Sequence, residues 1–198
     1  MSNDMVKFGS VGAIFCMLSA IAEIVAVTML WVSLIDYAFA GSHIDFGSGI
    51  AMAAGVALLS VGMFGFWKQH KNKFLLATGI FGMVAMAGGL AASIILWLNG
   101  GAVTSVSLIF QGFSFWNLLG IAGVVWLEIT GVFLILLGVA LYRLKEKTGV
   151  EKATRGAGIL TLISGIIFCA IIPFGYLAGQ MLFLMSTILT AYVMLKAR

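Results

Sequence analysis

Residues 67–98 read WKQHKNKFLLATGIFGMVAMAGGLAASIILWL, and this stretch carries both signals that decide the fold. Three lysines, Lys68, Lys71 and Lys73, stand directly before residues 74–98, which contain no charged side chain. A helix needs about 20 apolar residues to cross roughly 30 Å of hydrocarbon. The stretch therefore predicts a transmembrane helix that starts at a basic anchor.

The same arrangement extends over the whole chain. Six apolar spans are predicted, at residues 8–35, 49–67, 74–98, 116–141, 156–172 and 177–195, within a single domain of residues 1–198. All eleven basic residues fall before the first span, between the second and third, between the fourth and fifth, or after the sixth: Lys7, Lys68, Lys71, Lys73, Arg143, Lys145, Lys147, Lys152, Arg155, Lys196 and Arg198. Short connections rich in Lys and Arg remain in the cytoplasm. We therefore predict an all-α, polytopic bundle of six helices in the cell membrane, with both termini cytoplasmic.

Composition excludes a soluble domain. Hydrophobic residues make up 62% of the chain, charged residues 9%, and the mean hydropathy is +1.16, whereas soluble domains carry about 25% charged residues. The net charge of +4 does not point to nucleic acid, because the basic residues flank helix ends, where anionic lipid headgroups lie. The lipid bilayer is the first predicted partner.

An internal repeat organises the helices. Five residues recur 66 positions later with the same identities: Lys7, Phe8, Ile14, Phe15 and Met17 match Lys73, Phe74, Ile80, Phe81 and Met83. A looser third copy begins at Lys152. Each copy opens an odd-numbered span, which predicts three helical hairpins of parallel orientation. The competing explanation is that apolar segments resemble one another by composition.

The last third of the chain resembles a known group of proteins. The segments ALYR at 140–143, GAGIL at 156–160 and IPFG at 172–175 are similar to sequences in uncharacterised multi-pass membrane proteins of archaea. The resemblance implies a multi-pass helical fold and brings no catalytic or binding residues with it.

Small residues line one face of the third predicted span. They recur at steps of three and four residues: Gly82, Ala85, Gly89 and Ala92. Small residues let membrane helices approach closely, so we predict a helix-packing seam. Subtracting the repeat displacement gives the matching face of the first span: Cys16, Ser19, Glu23 and Ala26. Glu23 is therefore predicted to face protein rather than lipid.

A second carboxylate, Glu128, shares a face of the fourth span with Gly131, Ile135 and Gly138. Glu23 and Glu128 are 16 and 15 residues from the basic anchors Lys7 and Arg143, which places both about 22–24 Å from the inner end. An intramembrane carboxylate is by default a candidate functional residue. Three interpretations stay open: a pair that binds a proton or cation, two protonated acids that hold helices together, and polar contacts to a partner subunit.

The outer segments provide the remaining candidates. Residues 99–115 carry no charge. Three aromatic residues of this segment and the tryptophan that follows it form a predicted contact surface for a partner: Phe110, Phe113, Phe115 and Trp116. In an outer loop, Asp36, His43 and Asp45 could bind a divalent metal, but a zinc site usually needs three or four firmly held ligands, so we predict a solvated polar loop.

Catalytic signatures are missing from the sequence. It contains no Gly-rich phosphate loop, no Cys-x-x-Cys and no HExxH motif, so we expect no enzymatic activity, no cofactor and no metal. The leading hypothesis is a non-enzymatic accessory or structural subunit of a membrane assembly, whose partners are other membrane subunits or further copies of the chain. The alternative is a small proton- or cation-coupled transporter or channel that uses Glu23 and Glu128.

Overall fold

The computed structural model describes residues 2–31, 42–98, 118–170 and 173–197. Six helices occupy these ranges: α1 (Ser2–Trp31), α2 (Ser42–His70), α3 (Lys73–Leu98), α4 (Leu118–Leu144), α5 (Glu151–Cys169) and α6 (Pro173–Lys196). No strand occurs in the described ranges. The prediction of an all-α chain with six helices is confirmed.

Helix length and hydropathy fit a multi-pass membrane protein. Within the described residues, five helical segments are long and apolar enough to cross a bilayer: Asn3–Val25, Gly47–His70, Lys73–Ile95, Glu151–Cys169 and Ala178–Lys196, with mean hydropathies from 1.3 to 2.0. The remaining helix, α4, is 27 residues long, more than the about 20 residues that a membrane span needs. Several helices begin before their predicted apolar spans, because the backbone keeps its hydrogen bonds in the headgroup region, where charged side chains are also tolerated. Helix α6 begins at Pro173, which lacks the N–H that a first helical residue leaves unpaired.

The connection between α2 and α3 is only two residues long. Lys71 adopts a left-handed conformation, with φ of 53°, and its N–H donates to the carbonyl of Trp67 at 2.7 Å. The side-chain oxygen of Asn72 accepts from the N–H of Phe74 at 2.9 Å and so caps the start of α3. A connection this short makes the two helices antiparallel.

Each helix packs against its neighbours in the chain, and α6 returns to α1, so the six helices form a closed ring. Contacts across the interfaces show that direction alternates from helix to helix. At one end Val6 of α1 lies beside Gly65 of α2, and Met194 of α6 lies beside Gly9 of α1. At the same end Arg143 of α4 lies over Phe74 of α3. Odd-numbered helices therefore run parallel to one another, as three parallel-oriented hairpins require.

The alternation gathers the basic residues of the described ranges at one end of the bundle. These residues are Lys7, Lys68, Lys71, Lys73, Arg143, Lys145, Lys147, Lys152, Arg155 and Lys196. We call this the basic end. The outward faces beyond it are apolar, with exposed side chains such as Leu18, Val84, Ile166 and Met185, as contact with lipid demands.

Candidate functional site: two carboxylates and the interfaces that hold them

Helices α1 and α2 pack with their backbones in contact. A Cβ atom added to Gly12 would lie 2.6 Å from the carbonyl oxygen of Gly55 and 2.6 Å from the nitrogen of Leu59. Gly9 is equally close to α2, since its added Cβ would be 2.9 Å from the Cα of Gly62. Only glycine fits such positions, and the close approach multiplies dispersion contacts between the helices.

Glu23 lies on the same face of α1, in the α1–α2 interface. Its side chain is only 8% exposed, and the hydroxyl of Ser48 donates a hydrogen bond to its Oε1 atom. The hydroxyl of Ser19, one turn earlier on α1, donates to the backbone carbonyl of Ser48 at 2.9 Å. The three residues form a buried polar network that joins α1 to the first turns of α2.

Ser48 was not among the residues predicted from the sequence as a partner of Glu23. A signal was present, because Ser48, Gly55 and Gly62 recur every seven residues and therefore share one face of α2. Ser48 thus stands on the glycine face that packs against α1. Its pairing with Glu23 depends on how α1 and α2 are aligned along their axes, which the sequence does not specify.

A second close-packed interface joins α4 to α5. A Cβ on Gly138 would lie 2.6 Å from the nitrogen of Leu162, and one on Gly158 would lie 2.7 Å from the nitrogen of Tyr142. Farther from the basic end, a Cβ on Gly165 would lie 2.7 Å from the carbonyl oxygen of Gly131. The predicted face of Gly131, Ile135 and Gly138 thus packs against α5.

Glu128 lies one turn before Gly131 on this face of α4. It is partly exposed, and the thiol of Cys169, the last residue of α5, donates to its backbone carbonyl at 4.0 Å. Glu23 and Glu128 therefore lie in different interfaces. Their helices are not ring neighbours, since α1 packs between α2 and α6 and α4 packs between α3 and α5.

The predicted seam on α3 is buried. Gly82, Ala85 and Gly89 are all inaccessible to solvent, and a Cβ on Gly82 would lie 2.6 Å from the ring of Phe133 on α4 while also touching the hydroxyl of Ser60 on α2. Gly82 therefore lies where three helices meet. The side chains of Ala92 on α3 and Ala26 on α1 lie outside the described part of the chain.

Only some of the candidate residues in the predicted outer segments lie in the described part of the chain. Phe110, Phe113, Phe115 and Trp116 lie outside the described residues. The prediction that His43 and Asp45 belong to a loop is wrong, because both lie in the first turn of α2. The helix extends past its apolar span there, since a polar first turn is compatible with a helix end at the membrane surface. Among the described residues, no three His, Cys, Asp or Glu side chains are grouped to hold a metal ion.

The arrangement defines a class of protein, a multi-pass helical bundle with a buried carboxyl–hydroxyl network in a glycine-lined helix interface. Comparisons of the chain with protein-family models, curated proteins and solved structures found no match.

Proposed function

We propose that this protein is a non-enzymatic accessory or structural subunit of a membrane protein assembly. The observation that carries the proposal is the position of Glu23, whose buried carboxyl accepts a hydrogen bond from Ser48 across a close-packed interface. A carboxyl held in this way ties one helix to the next. It contributes to the shape of the bundle, and its hydrogen-bonding capacity is met by Ser48 without a transported ion.

The packing around Glu23 supports a static role. About three turns from Glu23 along α1 towards the basic end, Gly12 contacts the backbone of Gly55 and Leu59 with no room for a methyl group. Water reaching Glu23 from the basic end along this interface would have to separate the two helices. Interiors packed at this density transmit strain and do not open readily.

The outer surface of the bundle suits membrane partners. One face of α6 presents five exposed residues at steps of three and four: Met181, Met185, Ile188, Tyr192 and Leu195. Methionine side chains adapt their shape to irregular partners. The partners in this proposal are other membrane subunits or further copies of the chain, together with the bilayer.

The proposed location is the cell membrane, with the basic end and both termini in the cytoplasm. Single-cysteine labelling with a membrane-impermeant reagent tests the orientation. Cysteine at Gln69 or Thr148, both at the basic end, should react only in opened cells or inside-out vesicles. Cysteine at Ser42 should react in intact cells. Labelling of Gln69→Cys in intact cells would show that the orientation is the opposite of the one proposed.

Isolation with partners tests the subunit proposal. The chain should purify from its native membrane in mild detergent together with other membrane chains in fixed stoichiometry, or as a defined homo-oligomer. Phe113→Ala should weaken that association, while Phe8→Ala, the same change at an exposed site on α1, should leave it intact. Elution as a monomer that retains no partner would contradict the proposal.

The alternative is a proton- or cation-coupled transporter, and the depth of burial of Glu23 favours it. The Glu23 side chain is only 8% exposed, and burying a carboxyl in an apolar helix costs free energy. Intramembrane acids often mark ion pathways. In that case Glu23→Gln should abolish proton or cation flux in reconstituted vesicles while the fold survives. A structural subunit should show no flux in either form, and its partners should remain bound after Glu23→Gln.

A further inference from the structure

We propose that the groove between α4 and α5, near the basic end, binds one anionic phospholipid. The groove has a volume of about 210 Å³ and is lined by Gly138, Tyr142 and Arg143 of α4 and by Gly158, Ile159 and Leu162 of α5. Gly138 and Gly158 bring the two backbones into contact, and the side chains beside this contact form the walls of the groove.

The groove opens towards the bilayer. Ile159 and Tyr142 on its walls are 38% and 39% exposed, so they face outward from the ring rather than into its core. Its walls are almost wholly apolar, apart from the tyrosine and arginine at one end. Those two residues begin the basic end, at the depth where lipid headgroups meet the hydrocarbon. The groove therefore runs from headgroup depth into the apolar layer.

The cationic end of the groove is held in place. The guanidinium carbon of Arg143 lies 4.6 Å from the centre of the Phe74 ring on α3, and the ammonium of Lys145 lies 4.6 Å from the centre of the Tyr142 ring. Neither cation has a carboxylate partner among the residues that the structure describes. Both charges remain available to an anion at the mouth of the groove.

An anionic phospholipid matches both features. A guanidinium donates two parallel hydrogen bonds to a phosphate, while the apolar walls accommodate the chain next to the headgroup. An apolar cavity of about 150 Å³ already admits a molecule the size of benzene, so the groove accommodates a chain segment of several carbons. A soluble anion would leave the apolar walls uncovered, and a zwitterionic lipid would bring its own positive charge towards the two cations.

Lipid retention measures the headgroup preference. The full chain is reconstituted in nanodiscs with equal amounts of phosphatidylglycerol and phosphatidylcholine of identical chains, then released and analysed by native mass spectrometry. One phosphatidylglycerol should be retained in preference to phosphatidylcholine. Arg143→Gln should lower its retention by about tenfold, since a charge-assisted bond contributes on that order. Lys147→Gln removes a charge at the same end outside the groove and should change retention less than twofold, within the range of a screened surface charge.

A second pair of variants tests the groove itself. Ile159→Trp fills the groove from an exposed position, and Ile163→Trp makes the same change one turn away, where the side chain is 39% exposed and lines no part of the groove. Only Ile159→Trp should release the lipid. Both variants should keep the helical content and elution volume of the parent chain, so loss of binding is separable from loss of fold.

Several results would overturn the proposal. Equal retention of the two lipids, equal effects of Arg143→Gln and Lys147→Gln, or retention unchanged in Ile159→Trp would each do so. Displacement of the lipid by glycerol 3-phosphate at equal concentration would show that the site recognises a free phosphate instead. A dimer that only Ile159→Trp dissociates would assign the groove to a second copy of the chain.

Discussion

Replacing Gly138 by alanine is expected to destabilise the bundle by forcing α4 away from α5. The added Cβ would lie 2.6 Å from the nitrogen of Leu162 and 2.8 Å from the carbonyl oxygen of Gly158. Both atoms belong to backbone, so no side-chain rotation relieves the clash. Since favourable contacts need about 3.5 Å, the helices must separate by roughly 1 Å along this part of the interface.

The expected loss follows from that displacement. Overpacking a close-packed interior costs about 1–3 kcal/mol, and the higher helix propensity of alanine returns up to about 1 kcal/mol. The net loss is about 1–2 kcal/mol, which corresponds to a melting temperature lower by roughly 2–8 °C for a chain of this length. Thermal unfolding in detergent micelles, followed by circular dichroism, measures the shift.

Gly88→Ala is the matched control within the same bundle. A Cβ at Gly88 would meet only the Cδ1 atom of Ile129, at an ordinary 3.7 Å. The control should therefore melt at the parent temperature or slightly above it. If Gly138→Ala is as stable as the control, the close contact between α4 and α5 does not exist in the folded protein and the packing argument fails.

Three further predictions concern other helices. Ser48→Ala removes the hydroxyl that donates to Glu23 and should lower the free energy of unfolding by about 1–3 kcal/mol. Glu23→Gln keeps an acceptor for that hydroxyl and should lower the free energy of unfolding by less, so equal losses in the two variants would contradict the hydrogen bond. Asn72→Ala removes the side-chain cap at the start of α3 and should cost about 0.5–2 kcal/mol, measured in the same unfolding assay against the parent chain; an unchanged midpoint would rule out the cap. Cys16 is fully buried against α2, so a maleimide should label a Cys169→Ala variant only after denaturation. Rapid labelling of the folded variant would place Cys16 on the surface.

The fold was predictable because its determinants are local. Apolar runs of membrane-spanning length alternate with basic anchors, and each signal acts within one helix and its flanks. The inward orientation of Glu23 also followed from local information, since Ser19 and Glu23 share a face that the internal repeat aligns with Ala85 and Gly89. Helical periodicity is enough to place these residues on a common face.

The partners of those faces were not predictable from the same signals. Glu23 meets Ser48 because α1 and α2 are aligned at one particular axial offset, which depends on all the glycine contacts along the interface. The hairpin repeat also groups α5 with α6, yet Gly158 and Gly165 of α5 pack against α4. Which faces of two helices meet is set by how six helices fill a common volume, and no single helix encodes it.

The ring order has a consequence for biosynthesis. Five of the six interfaces join helices that are consecutive in the chain, so each can form as soon as the next helix leaves the ribosome and enters the bilayer. The sixth interface, where Met194 covers Gly9, joins the first of these six helices to the sixth. Until α6 arrives, that face of α1 stays open to lipid or to a chaperone, and the ring closes only after α6 has been made.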